Sequence, residues 1–337
     1  MRALAANLPT ALREGFSTGL DLAPPARGAS PIVAVGMGGS GIAADLARGV
    51  VDAETPAMLS ILRSPELPRG LDARAHVIVV CYSGDTWETL RAFEAAGRVG
   101  ARRTVVSSGG ELDDRAAEEG VGILLVPSGQ PPRSAVGHLF GGILGLLDPW
   151  FPESNEDRVS RISERLRGRI GAFAKPKGPA ANLAASVGER FPFIYAESSF
   201  LALARRWTTQ IEENAKRLAS FDEAPELFHN ALVGWDATGR AEASRTATLL
   251  LEWSEQSPPM RERFRYLERL LTARGGKVAR VPLESEDRLE ALINGIALGD
   301  QFSLFLAERR RVDPLPVEAI TRLKTALPDS PRSSRRR

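Results

Sequence analysis

The sequence is short of several residue types and patterns, and each shortage excludes a class of protein. One cysteine, Cys81, occurs in 337 residues, so an intrachain disulfide and a cysteine-based zinc cluster are excluded. The three histidines are dispersed along the chain, and we expect neither a metal site nor a cofactor. No apolar run approaches the roughly 18–20 residues that span a bilayer. Because the N-terminus also makes a poor signal peptide, we predict a cytoplasmic protein with no membrane partner.

The net charge is low as well. It is formally +2 at pH 7, and the tail 331–337, PRSSRRR, carries four of the arginines. The body is therefore close to neutral and shows no nucleic-acid footprint. A basic tail could contact nucleic acid or an anionic membrane, but the simpler interpretation is a solvated, disordered chain end.

Short apolar runs alternate with helical patterns along the whole chain. The runs are β-branched and continuously apolar, as expected for parallel strands covered on both faces. Alternation of this kind is typical of βαβ units with right-handed crossovers. We therefore predict an α/β protein whose helices flank parallel sheets, with strands at residues 32–35, 76–81, 103–107, 123–126, 193–196, 246–252 and 278–282.

The pattern falls into two similar halves. A charged helical segment and the breaker KPKGP at residues 175–179 separate them. We predict an N-terminal domain at residues 1–150, a connecting helical segment at 151–178, and a C-terminal domain at 179–330, followed by the tail 331–337.

The first motif is the stretch GMGGSG at residues 36–41, directly after an apolar run. A strand, a glycine loop and a helix together form a common anion site, because main-chain N–H groups and the helix N-terminus point at the ligand. The stretch formally fits the dinucleotide fingerprint, but the acidic residue expected after the next strand is missing. No Gly-Lys-Ser/Thr follows, which excludes a P-loop. A tight turn without a ligand remains the alternative.

The second motif, CYSGDTWET at residues 81–89, follows the next predicted strand. The ends of neighbouring parallel strands meet at the carboxyl edge of the sheet, where open α/β sheets bind ligands. Gly39 and Ser40 would therefore lie near Ser83 and Thr86. Hydroxyls and helix N-termini, without lysine or metal ligands, suit a phosphate monoester on a small organic body.

These two loops resemble those of the sugar isomerase (SIS) domain, in which an S-G-(N/D)-T loop holds a sugar phosphate. The resemblance implies that Gly39, Ser40, Ser83 and Thr86 bind the phosphate. The chain departs from the usual pattern at two positions. Asp85 stands where asparagine is common, and Cys81 stands where a serine often adds a phosphate contact, so Cys81 is at most an additional site residue.

The second half supplies residues suited to acid–base chemistry. Taken alone, Glu212 and Glu213 are ordinary helix carboxylates, and His229 is more often structural than catalytic. In order along the chain, however, five segments resemble the bifunctional phosphoglucose/phosphomannose isomerases, the SIS branch in which they recur. These segments are QPPR at 130–133, ENAK at 213–216, HNALVGW at 229–235, GDQFS at 299–303, and residues 313–324.

The resemblance implies an isomerase that interconverts glucose 6-phosphate, and with it mannose 6-phosphate, with fructose 6-phosphate through a cis-enediol. Glu213 matches the base that moves the proton, with Glu212 as a neighbouring supporting or surface residue. His229 matches the group that opens the sugar ring, and Lys324 the cation near the ring oxygen. Arg133 matches an arginine on the enediolate side. In the wider superfamily the histidine comes from the neighbouring subunit, which implies a homodimer with shared sites.

One departure concerns specificity. A threonine before the family lysine is associated with acceptance of both epimers, but residues 315–317 read Leu-Pro-Val here, which favours the glucose activity. Two other functions stay open. A non-catalytic sugar-phosphate sensor needs the phosphate loops but has no use for Glu213, His229 and Lys324 together. An isomerase of another phosphosugar, such as a pentose 5-phosphate, would use the same groups.

Overall fold

The computed structural model describes residues 1–26 and 31–326. These residues form two compact units. The N-terminal unit comprises Thr10–Arg161 and the residues from Leu315 onward, and the C-terminal unit comprises Met1–Pro9 and Ile162–Pro314. The predicted domain limits stay a prediction, and the tail 331–337 lies outside the described residues.

A five-stranded parallel sheet forms the centre of the N-terminal unit, in the order β2-β1-β3-β4-β5. Strands β1 and β3 are direct neighbours, with Ile32 opposite His76 and Gly36 opposite Val80. Four strands lie where the sequence predicts them, and β2 at the sheet edge was missed. The strands are β1 (Ile32–Gly36), β2 (Leu59–Leu62), β3 (His76–Cys81), β4 (Arg102–Ser107) and β5 (Gly122–Leu125).

Helices cover both faces of this sheet. On one face, Phe93 and Leu112 are fully buried against β3 and β4, and burying such side chains stabilises the fold by about 1.5–3 kcal/mol each. On the other, α2 and α6 approach so closely that a Cβ on Gly141 would lie 2.3 Å from the Leu12 carbonyl oxygen. The first helices of the chain are α1 (Arg2–Ala6), α2 (Leu8–Leu20), α3 (Gly38–Glu54), α4 (Trp87–Arg98), α5 (Glu111–Glu118), α6 (Val136–Leu147) and α7 (Glu156–Phe173).

The C-terminal unit contains a four-stranded parallel sheet in the order β7-β6-β8-β9. The edge strand β7 was not predicted, and the other three were. The core of the C-terminal unit contains packed aromatic side chains, with the Phe193 and Trp235 ring centroids 5.0 Å apart in an edge-to-face arrangement. The strands are β6 (Phe191–Glu197), β7 (Ser220–Ala224), β8 (Thr246–Trp253) and β9 (Lys277–Leu283). Two separate parallel sheets flanked by helices confirm the predicted α/β fold class.

The longest described helix, α13, is the central helix of the C-terminal unit and packs along α9. Among the described residues it is the one helix long and apolar enough to cross a bilayer, although no such segment was predicted from the sequence. Its apolar stretch is 94% buried, as in the core helix of a globular unit. The remaining helices are α8 (Pro179–Val187), α9 (Leu201–Ala215), α10 (Ala231–Ala237), α11 (Arg240–Ala243), α12 (Pro258–Ala273), α13 (Arg288–Arg310) and α14 (Glu318–Ala326).

Candidate active site

The glycine loop joins β1 to α3, as the sequence predicts. Its glycines are required first by the protein's own backbone. A Cβ on Gly41 would lie 2.4 Å from the Gly36 carbonyl oxygen, and one on Gly39 would lie 3.1 Å from the Pro132 carbonyl oxygen. Gly38 differs, because its φ of +50° favours glycine while, apart from its chain neighbours and its own helix backbone, no described atom lies within 4 Å of a Cβ there. The loop therefore packs under residues 132–133 and is open at Gly38, at the N-terminus of α3.

Ser40 connects the two predicted phosphate loops. Its side chain is buried, and its Oγ accepts a hydrogen bond of 3.0 Å from the main-chain N–H of Tyr82. This bond uses a lone pair of the hydroxyl and leaves its hydrogen available to an acceptor. The glycine loop and the residues after β3 are thus fixed side by side at the carboxyl edge of the sheet.

The second loop presents hydroxyls on a constrained turn. Gly84 has a φ of +72°, and a Cβ on it would lie 1.8 Å from the Gly109 carbonyl oxygen. Ser83 is exposed, and its Oγ accepts the Asp85 N–H at 3.4 Å. Thr86 is the N-cap residue of α4, and within the described part of the chain its hydroxyl makes no capping bond. Thr86 therefore lies at the start of α4, where an anion is favoured, and Ser83 lies in the turn just before it.

The two departures from the SIS pattern have structural explanations. Asp85 Oδ1 accepts the N–H of Glu111 at 3.0 Å, so this side chain anchors the start of α5. Cys81 is part of the hydrophobic core, with its Sγ 3.8 Å from Ser83 Oγ. A serine at position 81 would place another hydroxyl next to that of Ser83, and the cysteine does not supply one.

Arg133 lies beside the glycine loop in a short 3-10 helix, Pro132–Ser134. Tyr82 holds the preceding segment, because its hydroxyl donates to the Pro127 carbonyl oxygen at 3.1 Å and accepts the Gln130 N–H at 3.2 Å. The Arg133 side chain is 3% exposed and donates to the Leu315 carbonyl oxygen at 3.0 Å. The structure therefore brings Arg133 together with Gly39, Ser40, Ser83 and Thr86 in one unit.

Sequence reasoning missed Arg63, another cation next to the glycine loop. It follows the unpredicted edge strand β2, pairs with the buried carboxylate of Asp45 on α3, and lies 3.4 Å from the Gly41 carbonyl oxygen. The available signal was the short run Leu59-Ser-Ile-Leu62 before it. This ion pair supports the helix that begins in the glycine loop.

Glu213 lies in the C-terminal unit, half-buried in the last turn of α9. Two buried polar contacts fix this helix to α13. Arg206 and Asp300 form an ion pair of 2.7 Å, and Asn214 Nδ2 donates to Ser303 Oγ at 2.9 Å. The segments ENAK and GDQFS thus meet across one helix pair, which fixes the turn that carries Glu213.

Glu212, the neighbour of Glu213, is also half-buried. Burial raises the pKa of its carboxyl, against the lowering effect of a hydrogen bond from the Ala219 N–H, and the nearby Glu213 raises it further. Glu212 is thus more than an ordinary surface carboxylate.

His229 is exposed in the turn between the 3-10 helix Glu226–Phe228 and α10. Its main-chain N–H donates to the Glu226 carbonyl oxygen at 2.9 Å, and Asn230 caps α10. Lys324 lies in α14, but its side chain is outside the described residues. The structure therefore has the predicted phosphate loops and Arg133 in one unit, and Glu213 and His229 in the other.

A parallel sheet with a glycine loop and a hydroxyl loop on neighbouring strand ends defines the SIS class of α/β domains. Residues 176–327 match the family described as bacterial phospho-glucose isomerase C-terminal SIS domain. The chain belongs to the family of bifunctional phosphoglucose/phosphomannose isomerases. A member from Thermoplasma acidophilum is 31% identical, with 88% of this chain and 89% of the relative covered. One from Aquifex aeolicus is 30% identical, with 93% and 96% covered. The resemblance inferred from the motifs is confirmed.

Solved structures show the same fold at lower sequence identity. Glucosamine-6-phosphate deaminase from Thermotoga maritima has a TM-score of 0.71 at 16% identity, with 94% of this chain and 97% of that chain covered. Tagatose-6-phosphate ketose/aldose isomerase from Escherichia coli has a TM-score of 0.66 at 16% identity, with 93% and 94% covered. At these identities the likeness concerns the fold alone.

Proposed function

We propose that this chain is an aldose–ketose isomerase that interconverts glucose 6-phosphate and fructose 6-phosphate through a cis-enediol, with mannose 6-phosphate as a second substrate. The observation that carries the proposal is the bond between Ser40 and Tyr82, which holds the glycine loop and the hydroxyl loop at one sheet edge. Family membership then selects isomerisation from the reactions of phosphosugars.

The enzyme is proposed to bind its substrate chiefly through the phosphate group. The hydroxyls of Ser40, Ser83 and Thr86 donate to its oxygens, and the N-termini of α3 and α4 add main-chain N–H groups and a favourable dipole. Gly39 lets the loop stay close to this group. Fixing the phosphate holds C1 and C2 in one register, and such positioning lowers a barrier by several kcal/mol.

Glu213 is the proposed base. It removes the proton from C2 of the open-chain aldose, the electron pair forms the C1–C2 double bond, and the carbonyl oxygen at C1 takes up a proton to complete the enediol. Return of a proton to C1, with loss of the proton from the C2 hydroxyl, gives the ketose. One carboxylate serves both transfers, and Arg133 and Lys324 stabilise the negative charge that develops on the oxygens.

His229 is proposed to open the sugar ring, because an imidazole exchanges protons near neutral pH. Its exposure supports a role in the active site of a neighbouring subunit, and we therefore propose a homodimer with shared sites. We expect this enzyme in the cytoplasm, active without added metal, and with no nucleic-acid or membrane partner.

Because Leu315-Pro316-Val317 lacks the threonine associated with acceptance of both epimers, we expect glucose 6-phosphate to form faster than mannose 6-phosphate from fructose 6-phosphate. Measuring both products from fructose 6-phosphate in parallel coupled assays, with a chelator present, tests this preference. Equal rates would remove it, and a dependence on added metal would contradict the proposed chemistry.

The decisive experiment compares the parent with Glu213→Gln. The parent is expected to form glucose 6-phosphate from fructose 6-phosphate, and the variant to lose nearly all turnover while still binding the substrate, as measured by calorimetry. Glu262→Gln, which changes an exposed carboxylate on α12, is the matched control and should retain parental rates. Binding without turnover in the parent would instead favour the sensor, and turnover of a pentose 5-phosphate alone would favour another phosphosugar isomerase.

A further inference from the structure

Lys216 adopts an unusual conformation at the end of the helix that carries Glu213. It is the C-cap residue of α9, with φ 53° and ψ 45°, in the left-handed region. Glycine is the usual residue there, because a Cβ is disfavoured by sterics in this conformation. A lysine at this position therefore calls for a contribution from its side chain.

The ammonium group of Lys216 turns back onto the helix that it terminates. Its Nζ donates to the Glu213 carbonyl oxygen at 2.5 Å. This oxygen belongs to the last turn of α9, where carbonyl groups commonly accept hydrogen bonds from groups outside the helix. A charged donor gives a stronger hydrogen bond than a neutral one, so Lys216 fixes the peptide unit that follows the proposed base.

The same ammonium reaches a second segment of the C-terminal unit. Its Nζ is 3.5 Å from the carbonyl oxygen of Pro314, and from Pro314 the chain leads into α14 and to Lys324. One cation thus contacts two stretches of backbone within the C-terminal unit, the turn that carries Glu213 and the segment that ends at Pro314.

We propose that Lys216 is a positioning residue for isomerisation, which holds the last turn of α9 and the Pro314 segment in the arrangement that proton transfer requires. This inference rests on the proposed function. The buried contacts of Arg206 and Asn214 fix α9 against α13, and Lys216 adds the contact at the helix end, next to the reacting carboxylate.

The competing interpretation is an ordinary helix terminus, in which Lys216 has no influence on Glu213. Lys216→Gly separates the two, because glycine relieves the left-handed backbone while removing the ammonium. An ordinary terminus predicts a variant at least as stable and as active as the parent. A positioning role predicts unchanged or raised thermal stability together with a kcat that falls by about tenfold to a hundredfold, the range produced by a small misplacement of reacting groups.

The chain offers a matched control. Arg311 is the C-cap residue of α13, also left-handed with a φ of 55°, and its side chain is exposed. Arg311→Gly makes the same backbone change and should leave kcat unchanged. Lys216→Met keeps a long side chain without charge and should lower kcat as the glycine variant does. Lys216→Arg, which restores a cation, should recover part of the lost rate.

The experiment measures kcat, KM for fructose 6-phosphate and thermal unfolding for the parent and the four variants. The expected result is a fall in kcat for Lys216→Gly and Lys216→Met, with little change in KM because the phosphate loops are intact. Parental kcat in Lys216→Gly, or an equal loss in Arg311→Gly, would overturn the inference while leaving the proposed function in place. An inactive parent would overturn both.

Discussion

The Nη2 of Arg133 donates a hydrogen bond of 3.0 Å to the carbonyl oxygen of Leu315, 182 residues further along the chain. Arg133 is buried whereas Leu315 is exposed, so this contact is only partly shielded from water. It joins the segment next to the glycine loop to the segment that precedes α14. The arginine that we propose to stabilise charge is therefore also held by a main-chain acceptor, and this contact restricts its orientation.

Replacing Arg133 should affect both catalysis and stability. Arg133→Met removes the cation and its hydrogen bond to the Leu315 carbonyl oxygen, and a hydrogen bond from a charged group typically contributes about 1.5–3 kcal/mol to the free energy of unfolding. Loss of a positioned donor in an active site typically lowers kcat by about 10²–10³. Coupled kinetics and urea unfolding measure the two effects. Arg133→Lys should recover little, because an ammonium lacks the planar fork of donors, and full activity in either variant would contradict the assignment.

The two phosphate-loop serines should differ in stability while agreeing in function. Ser40→Ala leaves the main-chain N–H of Tyr82 without its acceptor and should lower the free energy of unfolding by about 1–3 kcal/mol. Ser83→Ala removes an exposed hydroxyl and should leave the free energy of unfolding nearly unchanged. Both should raise KM for fructose 6-phosphate by about tenfold or more, because each removes a hydrogen bond to a charged group.

Inorganic phosphate provides the check on these serine variants. Its inhibition constant should rise in parallel with KM in both variants, while the exposed Ser257→Ala retains parental values. If KM rises and phosphate inhibition does not change, these serines do not hold the phosphate group.

Glu212 on α9 should influence the pH dependence of unfolding. Burial raises the pKa of Glu212 above its usual 4.5, so the folded state holds this proton more tightly than the unfolded state. Glu212 therefore favours folding at low pH, and this contribution is lost as pH rises through its folded pKa. Glu212→Gln should flatten the pH dependence of unfolding above about pH 4.5 and retain most activity. Loss of turnover in Glu212→Gln with retention in Glu213→Gln would reassign the base.

Acid stability should depend on His76, which begins β3. Burial, with a smaller effect of Arg102, lowers its pKa from 6.5 to about 4, and its Nε2 is 2.8 Å from Thr104 Oγ1. The unfolded state therefore binds a proton that the folded state does not, and stability falls as pH decreases from 6.5 to 4. The loss amounts to about 3 kcal/mol.

His76→Gln tests this expectation, because glutamine can keep a bond to Thr104 but does not titrate in this range. Urea unfolding between pH 4 and pH 7 should show a flatter profile for this variant than for the parent. Equal slopes in the parent and in His76→Gln would contradict the effect of burial.

The sequence predicts the interior of this fold better than its edges. Strand β3 was predicted with its observed ends, because its six residues are all buried in a parallel sheet and five of them form one apolar run. The missed strands, β2 and β7, are both edge strands. Strand β7, Ser220-Phe-Asp-Glu-Ala224, is mostly half-buried and carries two acidic residues. It therefore lacks the apolar run by which the buried strands were recognised. Missing β2 also meant missing Arg63.

The candidate site shows the same division between local and distant information. The loops were recognisable because glycines and hydroxyls stand next to predicted strand ends. The contact of Gly39 with Pro132, and that of Arg133 with Leu315, depend on residues far apart in sequence. No local sequence pattern predicts these two contacts, and they can be inferred only once the order of the strands in the sheet is known.

The bond from Arg133 also limits how this polypeptide can be divided. A recombinant fragment ending at Arg161 would contain both predicted phosphate loops and lack Leu315, so the buried Arg133 would lose this acceptor. The first nine residues of that fragment would in turn be missing from the other piece, to which they belong. To express each unit separately, residues 1–9 would have to be joined to the C-terminal unit and the residues from Leu315 to the N-terminal unit. Cutting the gene at a single point would give two incomplete units.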